Sequence, residues 1–273
     1  MPSPNEITSS QLLRLIGTPA APQVVDVCLN EDFAEDQRLI PGSTRHAHTN
    51  MDGLIALLTK DRPVVIVCQK GKKLSQGVAA LLRNSGFRAE YLQAGIFGWR
   101  DFGGPMVPFK ALPALVSSST LWVTRHRPKI DRIACPWLIR RFVDPSAQFM
   151  FVAPAVVENV ATVFGATPFD VENVFWSHRG ENCTFDTMLA EFHLETAPLT
   201  RMAQVIRAAD TNTHNNAPEA AGLLAISVGL SCAYRDDVQQ MEAGLHIYDA
   251  LYRWARDGTS ETHDWPNTQS KAK

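Results

Sequence analysis

The sequence predicts an α/β domain, with a parallel sheet flanked by helices, followed by a mainly α-helical (α+β) second domain. Three observations carry this prediction. Up to about residue 100, short β-branched runs alternate with helix-periodic stretches, the pattern of βαβ units. Gly103-Gly104-Pro105, Pro108, Pro113 and Ser117-Ser118-Ser119 then read as a linker, with a boundary near residue 115. Beyond it, long segments with helical spacing dominate. The expected domains span 1–112 and 120–258, and the polar tail 259–273 is expected to be disordered.

In chain order, Gln23–Cys28, Val64–Cys68 and Ala89–Leu92 read as short buried strands. Met51–Leu58 and Ser75–Asn84 read as the intervening helices, the second stopped at Gly86. After the linker, Leu121–Thr124 and Gln148–Val152 are candidate strands. Asp131–Phe142 carries apolar residues at 133, 134, 137, 138 and 142 and ends before Asp144-Pro145. Leu199–Ala209 places Met202, Val205, Ile206 and Ala209 on one face. Pro218 opens Glu219–Ala233, which is apolar almost all round and is therefore expected to be buried. Val238–Ala255 closes the fold with a stripe of Met241, Leu245, Tyr248 and Tyr252, and Gly258 ends it.

Composition narrows the function. The chain of 273 residues is 45% hydrophobic and 20% charged, with a net charge of −2. Residues 1–110 hold 12 Lys+Arg against 10 Asp+Glu, and the remainder 14 against 18, so neither half is a basic nucleic-acid module. No apolar run approaches the ~18 residues of a membrane helix, and the N-terminus lacks a signal-peptide pattern. Five cysteines at irregular spacings do not form a disulfide framework, so a cytoplasmic location is expected. No nucleic-acid or membrane partner is expected, and the oligomeric state is left open.

The strongest chemical signal is Val64 to Leu82. A β-branched run ends at Cys68, a loop of Gln69, Lys70, Gly71, Lys72 and Lys73 follows, and Leu74 and Ser75 lead into a helix. Parallel α/β sheets place chemistry where a strand's carboxyl end meets a helix amino end. Helix-terminal positive charge and neighbouring lysines favour a thiolate, which makes Cys68 the best candidate nucleophile.

The first segment resembles the rhodanese family of single-domain sulfurtransferases. Val25-Asp26-Val27 resembles the family's "DVR" strand, with Cys28 in place of the arginine, and Ile40-Pro41-Gly42-Ser43 resembles its "IPGA" turn. Ala94-Gly95-Ile96-Phe97-Gly98-Trp99 resembles "GGIxxW", and Gly103-Gly104-Pro105 stands where the family has "GxP". The resemblance covers residues 20–108. It implies a persulfide on Cys68, an anion-binding loop of residues 69–75, a small anionic sulfur donor, a thiol acceptor, and no cofactor for sulfur transfer. The sequence departs from the family's CxxGxRS loop, because Leu74 intervenes before Ser75 and no arginine ends the loop. A loop longer by one residue is the expectation.

Residues 121–256 resemble the C-terminal domain of the chromate-resistance regulator family. Trp122–Phe142, Asp144-Pro145 through Phe151, Phe164–Asp170, His178–Asp186, Ala209-Asp210, Gly222–Ser227 and Tyr248–Tyr252 carry that resemblance. Two constellations there could carry chemistry. Arg125, Arg127, Lys129, Arg132, Arg140 and Arg141, opposed in sequence only by Asp131, could bind chromate or another oxyanion, with Arg125 and Arg132 the leading residues. Otherwise they form a solvated helix face. His178, Cys183 and Asp186, completed by His126, His193, Asp210 or His214, could bind zinc or iron. Asp186 could instead cap a helix starting near Thr187. The leading expectation is a sulfurtransferase in a chromate or stress response; the alternative is an oxyanion or metal sensor with a non-catalytic first domain.

Overall fold

The computed structural model describes residues 5–116 and 118–261. The first domain comprises β1 (Glu6–Ile7), α1 (Ser9–Leu15), β2 (Gln23–Asp26), α2 (Asn30–Glu35), β3 (Arg38–Leu39), β4 (Ser43–Arg45), α3 (Met51–Leu57), β5 (Val64–Val67), α4 (Lys73–Asn84), β6 (Ala89–Leu92), α5 (Gly95–Asp101) and β7 (Val107–Pro108). The five-stranded sheet runs in the order β1-β6-β5-β2-β4, with every neighbouring pair parallel. β5 is central and all four of its residues are buried, as expected where helices cover both faces. A small antiparallel pair, β3 with β7, brings Val107 into the first domain's core.

The second domain begins with β8 (Leu115–Val116) and β9 (Ser119–Arg125), followed by α6 (Asp131–Leu138), β10 (Gln148–Val152), α7 (Val157–Phe164) and β11 (Thr167–Pro168). Helices α8 (Thr184–Glu191), α9 (Ala197–Asp210), α10 (Ala220–Ala233) and α11 (Asp237–Arg253) complete it. β9 is flanked by β10 and β11 in parallel and pairs with β8 antiparallel. The expected helix over 131–142 is α6 continued by a π-helical turn, Ile139–Val143. No helix among the described residues is long and apolar enough to cross a membrane. Of the expected disordered tail, residues 262–273 lie outside the described residues.

One apolar core runs through both domains, from Leu12, Ile40 and the β5 residues to Trp137, Phe142 and Phe185. At the junction the Gly42 N–H donates to the Phe142 carbonyl at 2.7 Å, and the Arg256 guanidinium donates to the Arg14 carbonyl at 3.0 Å.

The structure corrects one expectation about burial. Helix α10 is not enclosed: Ile226 and Val228 are 47% and 41% exposed, and Cys232 is exposed. Its buried face carries Ala220, Leu223, Ser227 and Ser231. Ser227 is inside because the segment before α6 needs a polar partner, whereas Ser231 contributes only its backbone carbonyl and its buried Oγ has no partner among the described residues. Ser227 Oγ accepts the Ile130 N–H at 3.2 Å, and the Ser231 carbonyl accepts the Arg127 guanidinium at 2.5 Å.

Candidate functional site

Cys68 follows the last residue of β5, at the carboxyl end of the sheet, and is only 5% exposed. α4 begins at Lys73, two residues before the predicted start, so Lys73 and Leu74 belong to the first helical turn. The connection is therefore Cys68 to Lys72. Leu74 packs on the core, and Ser75, fully buried, reaches back to Cys68. The Cys68 thiol donates to Ser75 Oγ at 3.2 Å, and that hydroxyl donates to the Lys72 carbonyl at 3.2 Å.

Two glycines make the loop's shape feasible. Gly71 has φ +64°, and a Cβ there would lie 2.5 Å from the Leu92 carbonyl oxygen. Gly95 has φ +62°, and its Cβ would lie 2.0 Å from the Cys68 carbonyl oxygen. Only glycine accommodates both the left-handed backbone and this approach. The start of α5 thereby docks on the loop, with Ile96 N–H donating to Cys68 O and Phe97 N–H to Gln69 O, both at 3.1 Å. The Gln69 side chain is tied to Glu35 at 2.9 Å.

No backbone N–H from Gln69 to Ser75 has an acceptor among the described residues. Lys70, Lys72 and Lys73 are exposed, and among the described residues none of them is ion-paired. Unsatisfied N–H groups at a helix start, with exposed lysines that make no ion pair among the described residues, suit an anion. Cys28, at the end of the adjacent β2, is a second thiol here. Burial first, then the Asp26 carboxylate, push it above the usual thiol range, so it stays protonated. Cys28 also lines a cavity of about 390 Å³ with Asn30, Arg45, His46 and His48.

In the second domain the arginines do not form an open anion site. Arg132 Nε and Arg125 Nη2 both reach Asp170 Oδ2, at 3.2 and 3.4 Å. Arg140 pairs with Glu242 and Arg141 with Asp249, while Arg127 donates to the Ser231 and Tyr234 carbonyls. The expected chromate site at Arg125 and Arg132 is thus occupied by a carboxylate 45 residues away from Arg125 in sequence.

The predicted His178, Cys183 and Asp186 set is also revised. Cys183 is the fully buried N-cap of α8, which starts at Thr184 rather than near Thr187. Asp186 accepts the Cys183 N–H at 3.0 Å and pairs with Arg207 at 2.7 Å. Both residues therefore serve the helix end and do not converge with His178. Burial, then Asp131 and Asp186, push the Cys183 thiol upward. His126 and His193 are exposed and His214 is half-buried; none belongs to the group of side chains around His178.

His178 instead meets Asp131 from the first turn of α6, Asp170 after β11, and Asp210 at the end of α9. Its Nε2 lies 3.3 Å from Asp210 Oδ2, 3.4 Å from Asp170 Oδ1 and 3.6 Å from Asp131 Oδ2. Thr184 supplies its N–H to Asp131 Oδ2 at 2.6 Å and its hydroxyl to Asp170 Oδ1 at 2.9 Å. Burial first, then Asp210 and Asp170, raise the Asp131 carboxyl well above the ordinary range. Burial opposes ionisation of Asp170 too, but His178, Thr184, Arg132 and Arg125 outweigh it and lower its pKa. Asp170 and Asp210 raise His178 to about 10. The backbone is held in unusual conformations around this group, with φ +41° at Ile130 and +51° at Asp170. A β-branched residue at positive φ is a rare cost, and such costs cluster at functional sites. Asp131 was visible in the sequence only as the lone acid among the arginines; Asp170 carried no signal of its own.

Comparison with known proteins separates the same two regions. Residues 8–102 match the rhodanese-like domain family, and residues 122–255 match the family described as ChrB, C-terminal domain. Protein ChrB of Cupriavidus metallidurans is 34% identical over 133 residues, which is 48% of this chain and 39% of that protein. The chain thus spans well under half the length of the curated relative it matches. Among solved structures, a rhodanese-related protein from Thermoplasma volcanium is 20% identical over 38% of this chain and 97% of its own, with a TM-score of 0.33. A rhodanese-like domain protein from Staphylococcus aureus is 24% identical over 35% and 90%, with a TM-score of 0.32. The chain joins a rhodanese-like domain, residues 8–102, to a ChrB C-terminal domain, residues 122–255.

Proposed function

We propose that the protein is a sulfurtransferase that carries sulfane sulfur as a persulfide on Cys68 and acts in a chromate-resistance or stress response. One observation carries the reading: Cys68 sits at the root of a loop whose N–H groups, Gln69 to Ser75, have no acceptor among the described residues. The Cys68 thiolate attacks the outer sulfur of thiosulfate, an S–S bond forms, and sulfite leaves with the electron pair of the broken bond. The loop N–H groups and Lys70, Lys72 and Lys73 hold the donor's negative charge during the displacement. When Cys68 ionises, the Ser75 hydroxyl can rotate and donate to the thiolate. A thiol or cyanide acceptor then takes the outer sulfur and restores the thiolate. The chromate association rests on the resemblance of the second domain alone.

The test is an intact mass after incubation with thiosulfate. We expect a cyanide-reversible gain of about one sulfur atom, absent from Cys68→Ser, as activated-thiolate chemistry requires. The same gain in Cys68→Ser, or none in the unsubstituted protein, would overturn the assignment.

A further inference from the structure

We propose that Asp131, Asp170 and His178 form a binding site for one divalent first-row cation, with Asp210 beside His178 at its edge, in a part of the chain independent of Cys68. The first argument is geometric. Three carboxylate oxygens surround a single imidazole nitrogen at 3.3, 3.4 and 3.6 Å. Each distance exceeds the 2.7–3.2 Å of an N–H···O hydrogen bond, and one N–H can serve only one acceptor well. Donor atoms bound to a common ion at about 2.0–2.2 Å, with angles between 90° and 109°, stand about 2.8–3.6 Å apart. The separations of His178 from Asp170 and Asp131 are those of neighbouring corners around a shared cation, and these three residues offer donor atoms that are all mutually close.

The second argument concerns an orphan atom. Asp131 is fully buried and its Oδ1 has no hydrogen-bond partner, while Oδ2 faces His178. A buried, unsatisfied carboxylate oxygen beside two more carboxylates is costly unless a cation joins it. Asp131, Asp170 and His178 each offer a donor atom, all within 4.8 Å of one another.

The surroundings also fit. Asp170 turns Oδ1 toward His178 and gives Oδ2 to Arg132 and Arg125, which fixes its orientation as an outer partner fixes a ligand. Thr184 braces Asp131 and Asp170 together. Access comes from the His178 side: that side chain is 40% exposed and, with Asp170, Arg125 and Ser177, borders a cavity of about 680 Å³. Protein ligands on one side and a cavity on the other leave room for an exchangeable ligand, which is the arrangement of a reactive rather than a structural centre. One imidazole and two carboxylates suit Mn²⁺, Fe²⁺ or Zn²⁺, and no thiolate takes part. The ligand set thus differs from the His178, Cys183 and Asp186 expectation by exchanging both partners of the histidine.

The experiment uses the full chain, stripped with a chelator and titrated with Mn²⁺ while free Mn²⁺ is followed by electron paramagnetic resonance. We expect one equivalent bound, with affinity falling at least about tenfold in Asp131→Asn and His178→Gln, the size expected for loss of one ligand or its support. His178 is partly exposed, so His178→Gln tests the site even if Asp131→Asn fails to fold. Cys232→Ser, at the exposed cysteine of α10, should bind as the unsubstituted chain does. No saturable binding of Mn²⁺, Fe²⁺ or Zn²⁺, or full binding in His178→Gln, would overturn the site.

Discussion

Replacing Gly95 by alanine tests whether the docking of α5 shapes the Cys68 loop. The new Cβ would stand 2.0 Å from Cys68 O, 2.4 Å from Gly71 N and 2.8 Å from Gln69 O, so the backbone must move. A left-handed conformation costs a non-glycine residue about 1–2 kcal/mol. Moving α5 away also weakens two backbone hydrogen bonds, Ile96 to Cys68 and Phe97 to Gln69, worth about 0.5–1.5 kcal/mol each. Gly95→Ala should therefore lose about 3 kcal/mol in urea unfolding and should slow persulfide formation from thiosulfate. Gly77 provides an internal control. It lies inside α4, and nothing stands within 4 Å of its added Cβ. Gly77→Ala should gain about 0.5–1 kcal/mol through backbone entropy and load sulfur normally. If Gly95→Ala lost less than about 1 kcal/mol and loaded sulfur at the unsubstituted rate, the close approach would not be what holds the loop.

Two further predictions concern buried carboxylates. Asp26 is 2% exposed, with Oδ1 accepting the Cys28 N–H and Oδ2 unpartnered, and burial raises its pKa above 3.8. A raised carboxyl stabilises the fold when protonated, and that stability declines as pH rises through the folded-state value. Asp26→Asn should therefore improve relative to the unsubstituted protein between pH 4 and pH 8 in paired urea titrations; an opposite slope would show the charged form to be favoured. Arg141 makes a two-pronged contact with Asp249, 2.8 Å at each oxygen, and the Trp137 indole N–H donates to the same carboxylate at 2.8 Å. Arg141→Ala strands a mostly buried carboxylate and should cost about 2–3 kcal/mol by chemical denaturation.

The sequence by itself determined the local features. The β-branched run of β5, the lysine loop and the α4 stripe are written in consecutive residues, so Cys68 and its surroundings were legible from period and charge alone. The capping box Thr8–Gln11 that starts α1 is equally local. Only the tertiary structure decided the second-domain site. Six basic residues in a row of seventeen looked like an anion cradle because their partners, Asp170, Glu242 and Asp249, are remote in sequence. His178 kept its place as a candidate, but Cys183 and Asp186 were absorbed by the amino end of α8, whose own unsatisfied N–H groups needed them. Ser227 of α10 turned inward, against the helix's overall hydrophobicity, and its hydroxyl satisfies the strained segment before α6. Periodicity reports what a residue does for its own helix or strand. Which distant charge meets which is settled by how the elements pack, because a buried carboxylate is satisfied by whatever group the fold brings beside it.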